Sequence, residues 1–187
     1  MTDYYTPFCR DGLYHVYNRG NGAEKLFYKD RNYDYFLHQY AKYSEGILDT
    51  FAYCLLPNHF HLLVRIKEPD FISENFRKLF ISYAMSINKQ EGRKGNLLQR
   101  WVKRKHILNE RYFFAAVYYI HANAVHHGIV KSLADYKHSS YKIFLSEKDT
   151  RIKREEVFEW FGGKKNFIDY HAASKCSEYD DNYIIEN

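Results

Sequence analysis

Two histidines, His59 and His61, stand two residues apart in NHFHLLV, a run whose following residues are apolar. On an extended strand, residues i and i+2 leave the same face, so both imidazoles project to one side while Phe60 and Leu62 go to the other. Two imidazoles side by side on a sheet can share a divalent cation. An arbitrary pair of this kind more often decorates a solvent face. Here the alternate positions Phe60, Leu62 and Val64 are uniformly apolar, which lays the strand on a core and would hold a polar pair opposite them rigidly. A third donor must come from elsewhere. In VYYIHANAVHH, Tyr119 and Asn123 are four residues apart. At about 100° per residue they lie about 40° apart on one helix face, whereas Tyr118 points away. A phenol and an amide oxygen on one face offer a nucleophile and a hard oxygen ligand together, although Tyr119 is one of 19 tyrosines, and most of those are packing residues.

A second feature is electrostatic. The segment KQEGRKGNLLQRWVKRKH, residues 89–106, sets Lys89, Arg93, Lys94, Arg100, Lys103, Arg104 and Lys105 against one acid, Glu91. It therefore carries more positive charge than the whole chain's formal excess of five. Clustered cations interleaved with an indole, Trp101, suit a nucleic-acid backbone and a stacked base. A solvated basic loop is the plainer alternative. The last ten residues, EYDDNYIIEN, hold four acids and no base. They read as a solvated terminus, or as a polyanion mimic able to cover the basic surface.

The elements that must position these groups follow from pattern. The 187 residues are 45% hydrophobic and 19% aromatic, enough to bury a core, which excludes a disordered chain. Cys9, Cys54 and Cys176 lie far apart and indicate neither a disulfide framework nor a paired-thiol zinc site. The N-terminus lacks the apolar run of a signal peptide, and no stretch approaches a membrane span, so the expectation is a cytoplasmic protein with no membrane partner. LYHVYNR, residues 13–19, reads as a strand stopped by GNG; residues 30–44 form an amphipathic helix. Residues 47–56 and 59–66 form an antiparallel hairpin around Pro57-Asn58, and residues 71–90 a helix ended by Gly92 and Gly95. Residues 97–108 are a strand or extended basic segment, after which Asn109 caps a helix reaching about Asn123. This order predicts an α+β fold, one antiparallel sheet with helices packed on it. The expected division is a catalytic core over 1–147, an appendage around Trp160 and Phe161 over 148–174, and an acidic flexible tail over 175–187.

Taken together, YHVYNRG, AYCLLPNHFHLLV, GNLLQRWVKRK and YYIHANAVHHGIVKSLADYKHSSY resemble the HUH-type single-strand endonucleases. Within these they resemble the REP-associated tyrosine transposases, which carry a single catalytic tyrosine, and the likeness covers about residues 13–144. Two positions depart from the family pattern: Ala124 stands where proline is usual, and His138 where tryptophan is common. The resemblance implies a ferredoxin-like or RRM-like fold and an enzyme that nicks and rejoins single-stranded DNA beside hairpin-forming repeats through a covalent 5′-phosphotyrosine. It implies Tyr119 as nucleophile, with His59, His61 and Asn123 holding Mg2+ or Mn2+. Arg100, Trp101, Lys103, Arg104 and Lys105 are the expected DNA contacts, with Asn18 and Arg19 after them. Relatives act as monomers or as homodimers. The competing reading is a non-catalytic, single-stranded nucleic-acid-binding module of RRM-like fold.

Overall fold

The computed structural model describes residues 6–173. Its elements are β1 (Leu13–Arg19), α1 (Asp30–Ser44), β2 (Leu48–Leu56), β3 (His59–Ile66), α2 (Pro69–Glu91), β4 (Lys103–Ile107) and α3 (Glu110–His126), followed by α4 (Tyr141–Phe144), α5 (Arg154–Trp160) and α6 (Lys164–Ala173). The four strands form one antiparallel sheet in the order β2-β3-β1-β4. The α+β class expected from the sequence is the class observed. The acidic tail and Cys176 lie outside the described residues.

Two boundaries differ from the pattern. Only Lys103–Ile107 pairs as a strand, because Leu97 and Leu98 turn inward as buried plugs and Trp101 stands out in solvent, so 97–102 cannot alternate in register. Helix α2 starts at Pro69, whose fixed φ suits a first helical position, two residues before the apolar periodicity begins. Helix α3 opens as expected, the Asn109 Oδ1 accepting from the Tyr112 N–H at 2.8 Å. It runs on to His126, since Ala124 imposes no break where a proline would.

Period-2 alternation divides the sheet into two faces. Tyr14, Val16, Phe60, Leu62, Val64 and Leu55 face α1 and α2, whose buried stripes supply Phe36 and Tyr40, and Phe76, Leu79 and Tyr83. On the opposite face, Ala52, Cys54, Leu56 and Leu63 pack against Phe113, Ala116, Val117 and Ile120 of α3. The C-terminal helices extend this second core with Phe144, Val157, Phe158, Phe161 and Phe167. The segment between them is tied back by Lys153 N–H to the Thr50 carbonyl at 2.9 Å. His138, at the departure from tryptophan, stacks face to face on Tyr33 with centroids 3.5 Å apart and so keeps an aromatic ring in that position.

One glycine governs the entry to the histidine strand. The Gly20 N–H donates to the Asn58 carbonyl at 2.7 Å. A Cβ on Gly20 would lie 1.9 Å from the Glu24 carbonyl oxygen, which is backbone and cannot swing aside. Gly20→Ala is expected to destabilise the protein by about 1–3 kcal/mol. Thermal unfolding should read this as a fall of several degrees, and an unchanged midpoint would refute the close-packing argument.

Candidate active site

Strand register assembles the site. On β1 and β3, Tyr17 is opposite His61 and Arg19 opposite His59; on β1 and β4, Tyr17 is opposite Lys103 and His15 opposite Lys105. Directly opposed residues share a face, so His15, Tyr17, His59, His61, Lys103 and Lys105 all emerge on the side where α3 lies. The expected four groups converge there. The His59 and His61 rings stand perpendicular with centroids 5.1 Å apart, the Tyr119 ring meets His61 edge-on at 5.7 Å, and Asn123 Oδ1 lies 3.3 Å from His59 Nε2. Tyr118 instead points toward Tyr170 and His171, away from the site.

The donor set can be tested for a cation. His59 Nδ1 lies 2.7 Å from Asn58 Oδ1, an oxygen that can only accept, so the neutral ring carries its proton on Nδ1. Nε2 and Asn123 Oδ1 then meet lone pair to lone pair, an arrangement that a shared cation makes favourable. Neighbouring ligands of an octahedral ion with bonds of 2.0–2.1 Å are about 3 Å apart, close to the spacing seen. Asn123 is fully buried, with its Oδ1 facing His59 and its Nδ2 without a hydrogen-bond partner among the described residues. No cluster of three His, Cys, Asp or Glu side chains suited to a metal occurs among the described residues. The third donor here is an amide, and the mixed imidazole and oxygen set fits Mn2+ or Mg2+ rather than a thiolate-seeking ion.

The basic segment is split by the sheet. Lys103 and Lys105 face the site, and burial lowers the pKa of Lys105. Lys103 joins Tyr17, Asn18, Arg19, Asn58, His59 and His127 around a pocket of about 160 Å3 beside the histidine pair. Arg104 points to the opposite face, its Nε donating to the Thr6 carbonyl at 2.6 Å and its guanidinium lying over Phe8. Asn18 is nearly inaccessible, and its amide donates to the Gln99 carbonyl at 3.0 Å, fastening the basic segment to β1. Arg100 stacks over the Trp101 indole at 4.8 Å on the open surface, and Trp101 is 61% exposed.

Sequence reasoning passed over five histidines. His15 Nε2 lies 2.8 Å from His61 Nδ1, both residues being buried. His126 flanks Tyr119 at 5.4 Å between centroids, and His127 flanks His59 at 4.8 Å. On the far side of α3, fully buried His121 contacts His171 of α6 at 3.0 Å and Ser140 Oγ at 2.9 Å. The signal for His15 was present in the strand alternation, since it shares parity with Tyr17, but the partner strand cannot be read from one segment.

No protein-family model matches the chain. A curated protein of Haemophilus influenzae assigned as a REP-associated tyrosine transposase is 26% identical over 152 residues, covering 75% of this chain and 86% of that protein. Among solved structures, a REP-associated tyrosine transposase bound to a REP hairpin matches with a TM-score of 0.66 and 21% identity, over 79% of this chain and 87% of that one. The resemblance read from the sequence therefore holds at two levels: the chain is related in sequence to one REP-associated tyrosine transposase and shares the fold of another.

Proposed function

We propose that this protein is a transposase-like enzyme that cuts and rejoins single-stranded DNA beside a hairpin, with Tyr119 as its nucleophile. The observation that carries the reading is the convergence of Tyr119, His59, His61 and Asn123, from a strand and a helix separated by 64 positions between His59 and Asn123, at one place on the sheet. The names of its relatives support the reaction class, and the REP hairpin bound by the protein of like fold supports the substrate class.

His59, His61 and Asn123 would hold Mg2+ or Mn2+. When bound, the ion would draw charge from the scissile phosphate as a Lewis acid. The Tyr119 oxygen attacks phosphorus, its bond to phosphorus forms as the bond to the 3′ oxygen breaks, and that oxygen leaves with a proton as a 3′-hydroxyl. The 5′ end stays on Tyr119 as a phosphodiester, which keeps the bond energy for rejoining. A phenol ordinarily titrates near 10, so Tyr119 needs activation by the bound ion or by a general base. Arg19 and Lys103, at the pocket beside His59, suit the backbone phosphates, and the exposed Trp101 with Arg100 suits an unpaired base. Among the described residues, no helix is long and apolar enough to cross a membrane.

The test is a labelled single strand carrying a hairpin, incubated with the protein and Mn2+ and resolved under denaturing conditions. A covalent protein–DNA adduct is expected, and chelation of the ion should abolish it. Hairpin binding with no adduct across a broad panel of repeats would overturn the enzymatic reading in favour of a binding module. Phosphate contacts predict that hairpin affinity falls steeply with salt, and a salt-independent affinity would remove Arg19 and Lys103 from the interface.

A further inference from the structure

His15 supplies no ligand or nucleophile to the proposed chemistry, yet it is buried against His61, which does. The imidazoles of His15 and His61 meet at 2.8 Å between Nε2 and Nδ1, a distance that requires one proton between them. The proton has two possible owners. If His15 donates, neutral His61 carries its own proton on Nε2 and has no lone pair left there for a cation. If His61 donates from Nδ1, Nε2 presents its lone pair.

The surroundings fix the planes of this pair. The Tyr17 ring lies nearly parallel to both, 5.1 Å from His15 and 5.7 Å from His61. The Tyr119 ring stands edge-on to both, at 5.9 Å and 5.7 Å. The pair is enclosed, with His15 2% exposed and His61 fully buried, so water cannot easily replace either partner. Ligating histidines commonly donate the other ring N–H to an acceptor that sets their tautomer and orientation.

We infer that His15 is a positioning residue, accepting the Nδ1–H of His61 so that His61 Nε2 is held as a ligand. This rests on the metal reading given above. A ligating His61 without that acceptor would bury an unsatisfied N–H, which opposes metal binding.

Manganese affinity of the full, DNA-free chain, measured by calorimetry or electron paramagnetic resonance, separates the possibilities. His15→Phe keeps an aromatic ring of similar size but removes the acceptor, and should weaken Mn2+ binding about 10- to 100-fold. His15→Gln, whose Oε1 can accept the same N–H, should restore most of the affinity. If His15→Phe binds Mn2+ within about threefold of the parent while His59→Ala loses binding, the inference is overturned and the metal site stands. If His59→Ala and Asn123→Ala bind as the parent does, the metal site itself falls, and the role of His15 with it. A readout independent of variant folding is the long-range nitrogen–proton spectrum of the parent saturated with Mg2+. The inference expects His61 protonated at Nδ1, and protonation at Nε2 would overturn it.

Discussion

Tyr119→Phe is expected to form no covalent adduct with hairpin DNA, a loss of at least about 10^4-fold, on the scale of removed nucleophiles in other enzymes. The substitution removes one oxygen from a half-buried ring. The edge-on contacts of that ring with His61 and His15 involve ring carbons that phenylalanine retains. Folding and metal-free hairpin affinity should therefore stay close to those of the parent, which distinguishes loss of chemistry from loss of structure. An adduct persisting in Tyr119→Phe would assign the nucleophile to another residue. The same variant reports on assembly. Mixed with His59→Ala, it regains adduct formation only if a tyrosine from one copy serves the histidines of another; no recovery means that each chain uses its own.

Acid should destabilise the fold before its carboxylates are titrated. Burial holds the pKa of His171 down at about 4 and that of His121 well below the ordinary imidazole value, with the neighbouring His171 adding to the effect on His121. Both rings are thus neutral in the folded protein, while in the unfolded chain each takes up a proton near pH 6.5. Stability is complete above that pH and is lost as the pH falls toward 4, by about 3 kcal/mol for His171 alone. The midpoint of thermal unfolding should drop on the order of 5–10 °C between pH 7 and 4.5. His171→Leu should flatten this slope, at the expense of lower stability at pH 7, because His121 Nδ1 loses its partner. A midpoint independent of pH across that window, or a slope unchanged in the variant, would show that the buried pair does not control it.

The parts of this molecule that could be read from the sequence are those whose information is local. Alternation put His59 and His61 on one strand face, helical spacing put Tyr119 and Asn123 together, and Asn109 announced its helix. Alternation in KRKHI also held the fact that Arg104 must point away from Lys103 and Lys105, but grouping residues by charge obscured it. What could not be read is pairing across the sheet. His15 meets His61 over 46 positions and His121 meets His171 over 50, through strand register and helix docking that no segment encodes by itself. The inward turn of Leu97 and Leu98 likewise depends on the bridge between Gly20 and Leu98.

The contacts on either side of α3 bear on its freedom to turn about its own axis. Asn123 meets the histidine strand on one side, and His121, two residues earlier, is joined on another to α6 and to Ser140, which itself contacts the backbone of Tyr53. An atom at the outer radius of a helix, about 6 Å from its axis, moves about 1 Å for a roll of 10°. Misplacement of that size can lower a rate about 100-fold. The C-terminal helices thus act as a torsional stop on α3, the helix that carries both Tyr119 and Asn123.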